Sequence, residues 1–137
     1  MVTANLGWEL AALDKRVLLI DFDLDQPSLG SWFMDQIDYE HTVNAVYFDD
    51  VSIHDAIVPI TPRLHILPSR VDNRQIGIDR FAKKLVADME ARYDIVLIDT
   101  PPVGESSQTL YLSNVSSNCL YVMRYDYAWC DAIEESL

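Results

Sequence analysis

The chain has 137 residues, of which 50% are hydrophobic and 23% charged, a composition typical of a globular domain with a core of its own. Its 22 acidic and 10 basic residues give a net charge of −12, which argues against a general grip on the phosphate backbone of nucleic acid. The apolar runs are far shorter than the roughly 20 residues of a membrane span, and Cys119 and Cys130 show neither metal-ligand nor disulfide spacing. We therefore expect one domain over residues 1–137, located in the cytoplasm.

Helical and strand-like patterns alternate along the chain. Residues 2–13 have apolar side chains at helical spacing, and residues 17–20 form a continuous apolar run typical of a strand buried on both faces. Short helices are expected over residues 31–57, a short strand at residues 64–67 and a long amphipathic helix over residues 76–92. A strand from Ile95, a helix over residues 105–117, a fourth strand at residues 118–123 and a last helix from Ala128 complete the pattern. This alternation predicts an α/β fold, with a doubly wound, mostly parallel sheet and helices on both faces.

Two of the expected strands end in aspartates. Asp21, Asp23 and Asp25 follow the apolar run at residues 17–20, and Asp99 ends the run that starts at Ile95. The carboxyl ends of parallel strands meet at one edge of the sheet, where open α/β folds bind ligands. If the strand geometry continues, Asp21 and Asp23 point to the same side and Asp25 joins them.

These acids have the chemistry of a metal and nucleotide site. Magnesium needs only one or two carboxylates beside phosphate groups, and a carboxylate near the metal can also accept a proton. Asp99, with either Asp21 or Asp23, is therefore a candidate for this role. For any single aspartate the alternative is a cap or a solvated loop, and the presence of two such strands favours a site.

Three segments resemble a known family. Residues 15–24, KRVLLIDFDL, are similar to the second Walker motif of the deviant-Walker P-loop ATPases, and within them of the bacterial tyrosine kinases of exopolysaccharide and capsule synthesis. Residues 93–103, YDIVLIDTPPV, resemble the Walker B segment of these proteins, and residues 64–69, LHILPS, resemble the element that follows their variable region. The resemblance covers essentially the whole chain.

The resemblance implies a P-loop NTPase-like fold and an ATP-dependent protein-tyrosine kinase that phosphorylates itself. It implies that Asp23 and Asp99 hold Mg²⁺, that Asp21 and Asp23 are catalytic, with Asp21 assisting deprotonation, and that Asp21, Asp23, Asp99 and Arg124 contact ATP. An exposed arginine at a strand end is the alternative for Arg124. Proteins of this family act with a membrane activator of polysaccharide export and self-associate, so the chain is expected in the cytoplasm, at the inner face of the membrane through that partner.

The chain also departs from the family pattern. Asp25 replaces an arginine, and none of the glycines, Gly7, Gly30, Gly77 and Gly104, belongs to a phosphate-binding loop that ends in Gly-Lys-Ser or Gly-Lys-Thr. We expect the family domain to be truncated at both ends, before the first helix and before a tyrosine-rich tail, and we expect Tyr125 and Tyr127 to have packing roles. The chain as it stands is expected to be inactive or very weak.

Two other functions stay open. The first is a partitioning or positioning ATPase of the same class, and the second is a degenerate, non-catalytic interaction domain. Outside the acidic strand ends, His41, His54 and His65 are scattered without a paired acid, which favours structural or solvated roles. Ser106 and Ser107 can cap a helix, whereas nucleophilic catalysis lacks a histidine partner.

Overall fold

A four-stranded sheet forms the centre of the fold in the computed structural model, which describes residues 1–123. Its strands are β1 (Val17–Asp21), β2 (Val58–Pro59), β3 (Leu64–Leu67) and β4 (Ile95–Asp99). They lie in the order β2-β3-β1-β4, and β1 pairs in parallel with both β3 and β4. Within the described residues, β4 therefore lies at one edge of the sheet.

Helices cover both faces of this sheet. One face carries α1 (Val2–Ala12) and a 3₁₀ segment (Leu29–Gln36), which pack against it through residues such as Ala4 and Phe33. The other face carries the helices α2 (Val43–Phe48), α3 (Ile53–Ala56), α4 (Ile78–Glu90) and α5 (Ser107–Val115). The predicted α/β architecture, with helices on both faces, is confirmed.

The apolar run of β1 is buried because it divides its side chains between the two layers. Leu19 belongs to the cluster around α1, whereas Leu18 and Ile20 belong to the cluster around α4, and all three are 0% exposed. The helices α2, α3 and α5 begin where a hydroxyl side chain accepts a hydrogen bond from a free backbone N–H group, whereas α1 and α4 have no side-chain cap. Thr42 accepts a hydrogen bond from the N–H of Ala45, and Ser106 accepts one from the N–H of Gln108, which confirms that Ser106 caps a helix.

The fourth predicted strand is wrong. Residues 118–123 form no strand, and Leu120 is 68% exposed although the sequence of this run is apolar. A strand exists only where another strand pairs with it, and the pairings of β1, β2, β3 and β4 do not include residues 118–123.

The sheet is mostly parallel, as predicted, with one antiparallel strand. The fourth strand is β2, which pairs antiparallel with β3 and contains Pro59. No strand was predicted at residues 58–59, but β2 is an edge strand, where a residue that lacks an N–H is tolerated.

Several predictions concern residues outside the described part of the chain. These are the nucleotide contact of Arg124, the packing of Tyr125 and Tyr127, Cys130, and the last helix from Ala128. Among residues 1–123, no helix has both the length and the apolar character needed to cross a membrane.

Candidate functional site

The two acidic strand ends meet at the carboxyl edge of the sheet. Asp21 is the last residue of β1, Asp99 is the last residue of β4, and the two are paired across the parallel ladder. Neighbouring strands lie ~4.8 Å apart, and paired residues of a parallel ladder point to the same face. Leu19 and Leu97 face α1, so side-chain alternation places Asp21 and Asp99 on the α1 face as well. The predicted meeting of the two acid-tipped strands is confirmed.

Asp21 is buried and fastens the loop that follows β1. Its side chain is fully covered, Oδ1 accepts a hydrogen bond from the N–H of Asp23, and Oδ2 accepts one from the N–H of Leu29, each at 3.1 Å. Burial, and secondly the nearby charge of Asp99, raise the pKa of Asp21 to about 7. The carboxyl group therefore changes its charge near neutral pH.

Asp99 is half-buried and has a partner that the sequence did not reveal. The Thr3 hydroxyl, in the first turn of α1, donates a hydrogen bond of 2.7 Å to Oδ1 of Asp99. Burial raises the pKa of Asp99, and the Thr3 hydrogen bond opposes that rise. Thr3 lies in none of the three motifs, so only the packing of the first turn of α1 on the strand ends identifies it.

Asp23 and Asp25 occupy different surroundings because β1 ends at Asp21. Asp23 is half-buried, and its Oδ1 accepts a hydrogen bond of 3.0 Å from the N–H of Gln26, which closes a turn. Its charge contributes to the raised pKa of both Asp21 and Asp99, so these three carboxyl groups are close neighbours. Asp25 is exposed. The expectation that Asp25 joins the other acids required the strand to continue, and β1 ends at Asp21, so side-chain alternation no longer supports it.

A cavity of about 520 Å³ lies beside the strand ends. Leu24 and Asp25 line one side of it, and Ser106 at the start of α5 lines another. Arg74 is the cation of its lining, and its guanidinium group is bound by Asp72 at 2.7 Å and by Asp49 at 3.2 Å. The cavity is thus a polar space between the loops that follow β1, β3 and β4, and its lining does not include Asp21, Asp23 or Asp99.

Each of the three histidines contacts one other polar side chain. His41 does have an acidic neighbour, with 3.3 Å between its Nδ1 and Oδ2 of Asp38, which corrects the expectation of no paired acid. His65 lies 2.8 Å from the Tyr93 hydroxyl, and His54 lies 2.7 Å from Arg92. In the described part of the chain, no three or more His, Cys, Asp or Glu residues are grouped as metal ligands.

The residues at the strand ends fit magnesium held together with phosphate. Asp23 and Asp99 offer the hard oxygen donors that Mg²⁺ prefers, and this ion usually completes its coordination with water and phosphate oxygens. The contact between Thr3 and Asp99 brings the amino end of α1 to the same place. Free N–H groups and the helix dipole make such an end favourable for an anion. These donor groups are therefore of the kinds that could hold a cation and an anion side by side.

Comparison with known proteins gives the same fold and family. A family model described as an AAA domain matches residues 1–128. Tyrosine-protein kinase YwqD of Bacillus subtilis is 29% identical over 126 residues, which cover 88% of this chain and 52% of YwqD. The chain thus spans about half the length of this relative.

Solved structures have the same architecture. The VpsO kinase domain superposes with a TM-score of 0.83 at 23% identity, covering 98% of this chain and 67% of that one. The septum site-determining protein MinD of Pyrococcus horikoshii, solved with Mg-ADP, superposes with a TM-score of 0.69 at 27% identity, covering 83% of this chain and 47% of MinD. The P-loop NTPase-like fold and the resemblance to bacterial tyrosine kinases and their relatives are confirmed. The chain belongs to the AAA domain family.

Proposed function

We propose that this chain forms the metal-binding part of an ATP-dependent protein-tyrosine kinase domain that regulates exopolysaccharide or capsule synthesis. The observation that carries the proposal is the pairing of Asp21 with Asp99 at the ends of two adjacent strands, with Asp23 beside them. Similarity to tyrosine-protein kinase YwqD over 88% of the chain supports the choice of reaction. The self-phosphorylated tyrosine, the membrane activator, self-association and location in the cytoplasm belong to the same proposal, as does one domain over residues 1–137.

In this proposal Asp23 and Asp99 hold Mg²⁺, which neutralises phosphate charge when it is bound. Transfer to tyrosine also requires a group that accepts the hydroxyl proton. We propose Asp21 for that task, because it ends β1 directly beside Asp99. Asp21 is 0% exposed, so the loop that covers it must move before an acceptor tyrosine can reach its carboxyl group. Arg124 is proposed to contact ATP.

Nucleotide binding is the first test. The phosphates need a cradle of backbone N–H groups, and the 137 residues contain no glycine-rich loop that provides one. We would measure Mg-ATP affinity by calorimetry for the chain and for the chain extended at its amino end by a strand and a phosphate loop taken from a related kinase. The proposal predicts weak binding by the chain and a large gain on extension. An extended protein that does not bind Mg-ATP would contradict the proposal.

Substitution then separates the roles of the aspartates in the extended protein. Asp23→Asn and Asp99→Asn should weaken Mg-ATP binding, because each removes a charged ligand of the metal. Asp21→Asn should bind Mg-ATP while losing phosphotransfer by a factor of ~10²–10⁴. If Asp21→Asn instead abolishes metal binding and leaves the transfer rate of any remaining complex unchanged, Asp21 is a ligand and not the proton acceptor.

A positioning ATPase is the second candidate, because MinD, at 27% identity over 83% of the chain, shares the fold. The two functions differ in where the phosphoryl group goes. Incubation of the extended protein with γ-labelled ATP, followed by phosphotyrosine detection, distinguishes them. Labelled protein supports the kinase, whereas free phosphate without labelled protein supports the positioning ATPase. Absence of both supports a non-catalytic interaction domain.

A further inference from the structure

Among residues 1–123, Thr3 is the residue whose side chain donates a hydrogen bond to the Asp99 carboxylate. Its Oγ1 donates to Oδ1 at 2.7 Å, across 96 positions of the sequence. Within residues 1–123, Oδ2 of Asp99 has no hydrogen-bond partner. The two oxygens of this carboxylate therefore differ, because α1 holds one of them and no group of residues 1–123 holds the other.

We infer that Thr3 is a positioning residue for the metal site, which rests on the proposed role of Asp99 as a magnesium ligand. The terminal torsion of an aspartate is broad, so an unrestrained carboxylate presents its oxygens in many orientations. A hydroxyl that holds one oxygen fixes the direction of the other. Hydrogen-bond partners of ligating carboxylates act in this way in metal sites, and their removal typically costs ~10–100-fold in metal affinity.

Contacts other than the Thr3 hydroxyl also hold α1 on the sheet. Ala4 is buried against the sheet, and Gly7 lies so close to Leu19 that a Cβ built there would be 2.7 Å from the Leu19 Cδ2 atom. These contacts are apolar and do not involve Thr3. Thr3→Val keeps the branched shape and removes the hydroxyl alone, so α1 should remain docked. Thr3→Ser keeps the hydroxyl and removes the methyl group.

Manganese is the probe for this inference, because its paramagnetism broadens the signals of nearby amides even when binding is weak. We would titrate Mn²⁺ into isotopically labelled wild type, Thr3→Val and Thr3→Ser, and follow the amides of residues 21–24 and 98–100. Wild type and Thr3→Ser should show localised broadening at similar concentrations. Thr3→Val should require ~10-fold more Mn²⁺ for the same effect.

A matched control removes a different threonine hydroxyl. Thr61 accepts hydrogen bonds from the N–H groups of Arg63 and Leu64 in the turn before β3, at the opposite end of the sheet. Thr61→Val should lower the urea concentration at the midpoint of unfolding, because two N–H groups lose their acceptor, and it should leave the Mn²⁺ titration unchanged. A loss of affinity in Thr61→Val equal to that in Thr3→Val would show that general destabilisation, and not positioning, weakens the site.

The outcomes separate this inference from the proposed function. Wild type without localised broadening at the strand ends contradicts the metal site itself, and with it the role of Thr3. Wild type with broadening that Thr3→Val reproduces at the same Mn²⁺ concentration leaves the metal site standing and overturns the inference. Failure of Thr3→Ser to restore affinity also overturns it, because the hydroxyl would then not be the group that matters.

Discussion

At the scale of single residues, the charge of Asp21 opposes folding at neutral pH. The carboxyl group is fully buried, and its pKa is raised to about 7 by burial and by the charge of Asp99. In the unfolded chain the same group ionises near its ordinary pKa of 3.8. The folded chain therefore holds a proton that the unfolded chain releases. Stability is highest below the ordinary pKa and falls as the pH rises toward 7.

Asp21→Asn should remove this pH dependence. We expect the free energy of unfolding of the wild type to fall by up to ~4 kcal/mol between pH 4 and pH 7.5, and the profile of the variant to be flatter by a comparable amount. Urea unfolding in buffer with a chelator measures both profiles. At pH 4.5 the variant should be the less stable protein, because an amide has only one acceptor oxygen for two N–H donors.

Asp88→Asn is the control for this experiment, since Asp88 is exposed on α4. Its profile should follow that of the wild type. Parallel profiles for wild type and Asp21→Asn would show that Asp21 does not titrate near neutral pH in the folded chain.

We expect Asp25, an exposed residue, to weaken the binding of phosphate groups. It is exposed on the lining of the cavity, at the position where the related kinases have an arginine. Asp25→Arg should strengthen Mg-ATP binding by the extended protein on the order of 5-fold at low salt and less at high salt, because it exchanges repulsion for attraction. Asp88→Arg makes the same charge change near the carboxyl end of α4 and should have little effect. Equal gains from both variants would mean that net charge, not position, is responsible.

At the scale of elements, the sequence predicted β1 and β4 but did not predict β2. β1 and β4 were found because apolar runs that end in aspartate suit strands buried on both faces. Residues 118–123 have a similar pattern and form no strand, whereas Val58–Pro59 lacks such a pattern and pairs with β3. The apolar pattern of a sequence shows which faces of a strand can be buried. Whether the strand forms also depends on a second strand, elsewhere in the chain, that pairs with it.

The close packing of α1 on the sheet depends on Gly7. A Cβ at this position would lie 2.7 Å from Leu19 Cδ2 and 3.3 Å from Leu64 Cδ1, both in the buried core. Gly7→Ala gains ~1 kcal/mol of helix propensity, but overpacking costs ~1–3 kcal/mol, so we expect a net loss of stability. In a Leu19→Val background, which removes the crowding atom, the same change should be stabilising. Urea unfolding of the four proteins of this cycle measures the coupling, and additivity would contradict the clash.

At the scale of the whole molecule, the sequence predicted where the site lies better than how it is built. The meeting of Asp21 with Asp99 follows from the rule that parallel strands end at one edge. The separation of Asp23 from Asp25 follows from a turn closed by one backbone hydrogen bond, and no periodicity predicts such a turn. Thr3 contacts Asp99 only because α1 packs on the sheet in the folded chain. Contacts between distant segments are the part that patterns along the chain do not contain.

The edge position of β4 divides its backbone amides into two kinds. The N–H of Ile95 donates to Arg16 O, and the N–H of Phe22 donates to Asp99 O, so the odd-numbered residues of β4 bond to β1. The N–H groups of Val96 and Ile98 point away from β1, and no strand among residues 1–123 lies on that side. In deuterated water we expect the amide of Leu97 to exchange orders of magnitude more slowly than those of Val96 and Ile98. Slow exchange at all three would reveal a further strand beside β4, so this experiment measures whether the sheet continues past its visible edge.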